Sequence, residues 1–201
     1  MPRGTRTPAG GRPPPPPGPP PAPPLERALA RLGEEHREAL WAIVSDAVVM
    51  RGVGDTRAWS KAKLDRFLRY CADEENEAPA RRRFFYWGIF VGGALAGVVG
   101  VHPIQYDPRA RGWYFLSIFL ARGAGNKGTG TWATRAALVL FWALRPDTPV
   151  HIDTQADNAA MNALAQKLGF RPTRRPACLQ WRCYSRYFLQ KGEGWKPADW
   201  P

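Results

Sequence analysis

The sequence predicts an α/β fold in which a three-strand antiparallel meander leads into alternating helices and strands. Two amphipathic helical stretches come first in the chain. Then "RFFYWGIFV", "ALAGVVGVHPI" and "WYFLSIFLA" follow one another through links too short for crossover helices, so neighbouring strands run antiparallel. After them the apolar spacing changes from the period of a strand to that of a helix at a glycine-rich loop.

Residues 1–24 hold twelve of the chain's 21 prolines, with Arg3, Arg6 and Arg12 adding charge. A disordered tail of polyproline II character is expected there, either simply solvated or serving as a ligand for a proline-binding module or a nucleic-acid tether. Globular composition begins at Leu25, so a single domain is expected over 25–190, followed by a tail over 191–201. "EEHREALWAIVSDAVVM" places Leu40, Ile43, Val44, Ala47 and Val48 on one helical face. "WSKAKLDRFLRYCADEEN" does the same with Leu64, Phe67, Leu68 and Cys71, and Ser60 is its expected N-cap.

Gly92-Gly93 is a hairpin signal between the first two strands, and "YDPRARG" turns the second into the third. Beyond the glycine loop, Thr131 to Leu144 has helical spacing, with Trp132, Ala136, Val139, Leu140 and Ala143 expected inward. "VHIDTQ" is the next strand. "DNAAMNALAQKLGF" is a helix with Met161, Leu164 and Leu168 on one face, closed by Gly169 as its left-handed residue. "ACLQWRCYSRYFLQ" alternates and is expected to form one final strand.

A net charge of +12 suits an anionic partner such as nucleic acid, an acidic protein surface or a phosphorylated cofactor, or it serves solubility alone. Cys71, Cys178 and Cys183 are odd in number and lack C-x-x-C spacing, which argues against a disulfide framework and a zinc site; no metal is expected. A reducing, cytoplasmic compartment is therefore the expected location. The longest apolar run, "YWGIFVGGALAGVVGVHPI", is broken by glycines and reads as two strands rather than a membrane span. The N-terminal residues carry no apolar signal core.

The most informative stretch is "ARGAGNKGTGT", where Gly123, Gly125, Gly128 and Gly130 fill half of eight positions. A strand that ends in glycines and opens a helix presents backbone N–H groups with no partner, at the positive end of the helix dipole. That combination binds anions. Arg122, Asn126, Lys127 and Thr129 sit in or beside the loop. A Walker loop is excluded, because Gly128 is followed by Thr129 rather than Lys-Ser/Thr. Gly123, Gly125 and Gly128 do spell the dinucleotide fingerprint, and Asp153 stands about where a ribose-binding acid belongs. Position argues against that reading, since three antiparallel strands precede the loop and too little chain follows it for two mononucleotide halves.

"GNKGTG" with its following helix resembles the acyl-CoA loop of GCN5-related N-acetyltransferases (GNAT), Arg/Gln-x-x-Gly-x-Gly. Gly128 and Gly130 match its glycines, while Gly125 stands where the family has Arg or Gln. "NAAMNALAQKLGF" resembles the second family motif through Asn158, Lys167, Gly169 and Phe170. The resemblance spans roughly residues 25–190. "SDAVVM" and "GVVGVHPI" look most like the branch that acetylates ribosomal-protein N-termini, including the N-terminal alanine acetyltransferases.

The resemblance implies a GNAT-type α/β fold: a mixed, mostly antiparallel twisted sheet of six to seven strands with about four helices. The third strand and the one after it splay apart. Acetyl-CoA is implied as co-substrate and an amine as acceptor. The pyrophosphate would rest on amides from Gly123 to Gly130, the pantetheine arm on Asn158, and the thioester carbonyl on an amide near Leu120. Asn158 equally suits the role of helix cap.

No catalytic acid or base carries over from the family. The usual Tyr position is Ala165, the branch's Ser position is Met161, and the strand region that often supplies an acid reads Trp113, Tyr114, Phe115. His102, Ser117 and Tyr184 remain as local candidates for handling protons, and His151 and Asp153 are expected to have structural partners. Three functions stay open: an N-acetyltransferase, a GNAT-fold protein that binds CoA or a basic-surface partner without chemistry, and an NAD-binding enzyme.

Overall fold

The computed structural model describes residues 26–53, 57–103, 112–125, 127–173, 177–179 and 182–189, with the backbone alone at 177–179 and 182–184. The expectations for the proline-rich tail, for Asn126 and for the segment 191–201 lie outside the described residues. The elements in chain order are Arg27–Ala30 (β1), a 3-10 turn at Glu34–His36, Arg37–Val44 (α1), Ala47–Met50 (α2), Lys61–Asn76 (α3), Phe85–Val91 (β2), Ala94–Pro103 (β3) and Tyr114–Leu120 (β4). Thr129–Leu144 (α4), Val150–Gln155 (β5), Ala159–Lys167 (α5), Arg171–Pro172 (β6), Ala177–Leu179 (β7) and Arg182–Leu189 (β8) follow.

One mixed sheet holds all the strands in the order β1-β2-β3-β4-β5-β8-β6, with β7 paired to β8. Every pairing is antiparallel except that of β4 with β5. The expected meander is β2-β3-β4, turned at Gly92 and Gly93, whose φ values of 56° and 80° explain why glycine stands at both positions. This topology removes the dinucleotide reading, since the glycine loop follows the third strand of an antiparallel meander instead of opening a parallel βαβ unit.

Strand alternation sends side chains to the two faces of the sheet. On one face Val101, Leu116, Val150 and Ile152 pack with Leu138, Phe141 and Trp142 of α4 and Ala165 and Leu168 of α5. On the other, Val98 and Phe119 pack with Leu40 and Val44 of α1, Met50 of α2 and Leu64 and Leu68 of α3. Ser60 caps α3 by accepting from the Lys63 amide, as its sequence position predicts. Gly169, at φ 80°, ends α5 as expected.

Four expectations need correction. The first helical stretch is broken. Ser45 Oγ donates back to Trp41 O at 2.7 Å, and Asp46 then caps the separate helix α2. Ala47 and Val48 therefore leave the predicted buried face, and Val48 is 55% exposed. Helix α4 begins at Thr129, two residues early, and buries Ala133, Ala137, Leu138, Phe141 and Trp142. Of the face expected inward, Val139, Leu140 and Ala143 are exposed and Trp132 and Ala136 are half-buried. The expected last strand is two, β7 and β8, paired through Cys178 opposite Cys183. Strand β1 pairs with β2 at the sheet edge, where its four-residue "RALA" carries no period to announce it.

Candidate functional site

The parallel pair β4 and β5 makes only two residue pairings, Tyr114 with Val150 and Phe115 with His151. Both strands then continue, β4 to Leu120 and β5 to Gln155, without pairing to each other. A slot opens between them. Ala121 donates its amide to the Ala96 carbonyl of β3 at 2.8 Å. Since hydrogen-bonding direction alternates along an antiparallel strand, the amides of Ile118 and Leu120 turn the other way, into the slot.

The glycine loop closes the outer end of this slot. Gly123 and Gly128 have φ values of 84° and 75°, a region in which a β-carbon is strained. Gly128 is the N-cap of α4 and offers it no side chain. The first backbone bond into the helix is Trp132 N to Gly128 O at 3.0 Å. Among the described residues, the amides of Lys127, Gly128, Thr129, Gly130 and Thr131 therefore have no partner, and they gather at the positive end of a 16-residue helix. Gly130 faces Leu164 of α5 closely: a β-carbon would stand 3.3 Å from Leu164 Cδ1, a tight contact. Lys167 follows Leu164 by one turn and is exposed.

Two straps that sequence reasoning did not find hold the loop. Arg27, at the start of β1, donates from Nη2 to Lys127 O at 2.9 Å. Arg122, expected as a phosphate ligand, instead places both its Nε and Nη2 on the Asp46 carboxylate, each at 2.9 Å. These hydrogen bonds, more than the nearby charge, hold the Asp46 carboxyl below the usual carboxylate range. Partners 76 and 100 residues apart leave no local sign in a sequence.

Asn158 sits at the mouth of the slot, where β5 gives way to α5. Its Oδ1 accepts from the Met161 amide at 3.1 Å, so it is the cap of α5. Its Nδ2 has no partner among the described residues and remains available as a donor. Asn162, also missed from sequence, secures this corner. It donates from Nδ2 to Gln155 O, Ala156 O and Asn158 O and accepts from Tyr187 Oη at 2.9 Å.

The three candidate proton carriers do not converge. Ser117 lies on β4 just past its last pairing with β5, and strand parity puts it on the face of α1 to α3. His102 lies on β3 opposite Phe115, but its ring stacks toward β2, on Tyr86 at 5.8 Å and Phe84 at 6.4 Å. Burial lowers its pKa, and the contact of Nδ1 with Pro103 O only partly opposes that. Tyr184 stands on β8 opposite Gln155, and its side chain lies outside the described residues. Ala165 is fully buried in the core. Asp153 is held by Arg186 through two bonds of 2.7 Å, which is its structural partner. Among the described residues no cluster of His, Cys, Asp and Glu could hold a metal, and no helix is long and apolar enough to cross a membrane.

The model of the acetyltransferase (GNAT) domain matches residues 28–171 of this sequence. The chain belongs to the GNAT acetyltransferase family. Members of that family use acetyl-CoA.

Solved structures agree in fold. RimL, a ribosomal L7/L12 alpha-N-protein acetyltransferase in complex with coenzyme A, superposes with a TM-score of 0.65 at 17% identity, over 82% of this chain and 93% of that one. A ribosomal-protein-alanine N-acetyltransferase from Brucella melitensis gives 0.65 at 17% identity, over 81% and 99%. An acetyltransferase from Salmonella typhimurium that modifies the N-terminal serine of L7/L12 gives 0.63 at 19%, over 82% and 94%. No curated protein sequence matched.

Proposed function

We propose that this GNAT protein transfers the acetyl group of acetyl-CoA to a primary amine, either a peptide N-terminus or the amine of a small molecule. The observation that carries the reading is the slot between β4 and β5, which ends at five amides without a partner among the described residues. Gly123, Gly125, Lys127, Gly128, Thr129 and Gly130 would receive the pyrophosphate, with Lys167 and the straps Arg27 and Arg122 around them. The Asn158 Nδ2 donates to the pantetheine arm while its Oδ1 keeps the cap. Bound acetyl-CoA supplies the thioester.

An amide near Leu120, on the side of β4 turned into the slot, would donate to that thioester's carbonyl and stabilise the charge that grows on its oxygen. The amine nitrogen bonds to the carbonyl carbon, the carbon–sulfur bond breaks, and the proton lost by nitrogen ends on sulfur or in water. Ser117, at the opening of the slot on the face away from α4, would pass that proton. Holding amine and thioester together accounts for up to ~7–11 kcal/mol of the barrier without a dedicated base.

One observation favours a second reading, a GNAT fold that binds acyl-CoA without turnover. Ala165, at the position where the family resemblance implies a tyrosine acid, is fully buried and carries no proton to give. Free-thiol release from acetyl-CoA in the presence of N-terminal peptides and small amines separates the two. Turnover supports transfer. Thermal stabilisation by CoA without thiol release supports binding alone. Gly128→Asp, which brings a side chain and a negative charge to the N-cap of α4, is expected to abolish CoA binding with the fold retained. Unchanged affinity in that variant would remove the loop from the site.

A further inference from the structure

Helix α2 has four residues, too few to sustain itself, yet it lies at the mouth of the slot. At its start, Asp46 holds Arg122, which stands just beyond the end of β4. At its end, Arg51 O accepts from Gln155 Nε2, on the last residue of β5, at 3.2 Å. The next residue, Gly52, lies against Asn158, so that a β-carbon there would come to 2.9 Å from Asn158 Nδ2. The segment 46–52 is thus tied to both lips of the slot, on the side opposite α4 and α5.

We infer that Asp46 and Gly52 are positioning residues for acyl transfer: together they set α2 as a crossbar over the slot that couples CoA occupancy to the acceptor side. The inference rests on the acyl-CoA reading above. Gly52 leaves room for the Asn158 amide, and any side chain there would press on it. Asp46 serves twice, capping α2 through the Val48 amide at 2.8 Å and aligning the strand end that enters the glycine loop. A molecule threaded through the slot contacts both anchors and steadies the bar. The exposed Val48 on α2 then forms part of the wall that an incoming amine meets.

The test uses the full chain with CoA as probe, read by calorimetric affinity and by hydrogen exchange of amides 46–53. In the wild type, CoA is expected to slow exchange in that segment. Gly52→Ala is expected to weaken CoA binding about fivefold, the worth of one hydrogen bond, with an unchanged melting temperature. Asp46→Asn keeps a capping oxygen and loses the ion pair; it is expected to fold normally and to lose most of the CoA-induced protection of α2. Wild-type protein that binds CoA with no change in exchange at 46–53, or a Gly52→Ala variant with wild-type affinity, would overturn the crossbar and leave the CoA site standing. A wild type that does not bind CoA at all would overturn both.

Discussion

Trp113 lies flat on His151, with ring centroids 4.3 Å apart and planes 7° from parallel. Phe115 stacks on the same imidazole at 5.5 Å. His151 is only 6% exposed, and its buried Nδ1 has no partner among the described residues. Such a site admits the neutral ring and penalises the cation. Burial first, then the charge of Arg186, lower the pKa of His151 from 6.5 to about 4, against the opposing pull of Asp153.

The sign of the pH dependence follows. Between about pH 6.5 and 4 the unfolded chain takes up a proton that the folded chain refuses, so stability falls as pH falls through that window. Above it the contribution is constant. The loss is expected to reach about 3 kcal/mol near pH 4. Urea titrations at pH 7.5 and 4.5 should show it, and His151→Phe, which keeps the stack and removes the titration, should lose that part of the slope. A variant with the wild-type pH dependence would assign the acid sensitivity to other groups.

The cap and the proposed pantetheine contact of Asn158 fall on different atoms, and the two can be separated. Asn158→Asp retains an oxygen for the Met161 amide and loses the Nδ2 donor. It is expected to melt like the wild type and to bind CoA about five- to tenfold more weakly. Asn158→Ala loses the cap as well and should cost about 1 kcal/mol of stability besides. Melting curves with and without CoA give both readings. Equal CoA affinity in the wild type and Asn158→Asp would confine this residue to capping.

The two carboxylate–arginine forks near the slot differ in surroundings. Asp153 and Arg186 have side chains only 14% and 16% exposed, whereas the Arg122 side chain is 67% exposed. Removing one member of the inner pair leaves an uncompensated charge in a poorly solvated place. Arg186→Ala is expected to destabilise the fold by about 3–5 kcal/mol. Arg122→Ala exposes Asp46 to water and is expected to cost under about 1 kcal/mol. Similar losses for both would mean that burial does not separate them.

Much of the architecture was legible because local chemistry dictated it. Alternation made the meander, Gly92-Gly93 its turn, and Asn158 marked the start of α5, whereas the start of α4 was legible only to within two residues. What stayed hidden was tertiary. The straps of Arg27 and Arg122 join residues distant in sequence, and so does the approach of Gly52 to Asn158. In α4 the obstacle was different. Its sixteen residues carry one charge, Arg135, so apolar spacing is present on every side and cannot tell the inward face from the outward one.

That ambiguity yields a direct test on adjacent residues. Phe141 is fully buried between β2 and β4, its ring 5.3 Å from Phe85 and 4.9 Å from Tyr114. Leu140, its neighbour in sequence, is 42% exposed, and Val139 equally so. Phe141→Ala opens a cavity where the helix meets the sheet and is expected to cost about 3–5 kcal/mol. Leu140→Gln and Val139→Gln are expected to stay within about 0.5 kcal/mol of the wild type, because they exchange one solvated side chain for another. Chemical denaturation of the three variants checks the orientation of α4. A large loss at Leu140 or Val139 would show that this outer face is covered in solution.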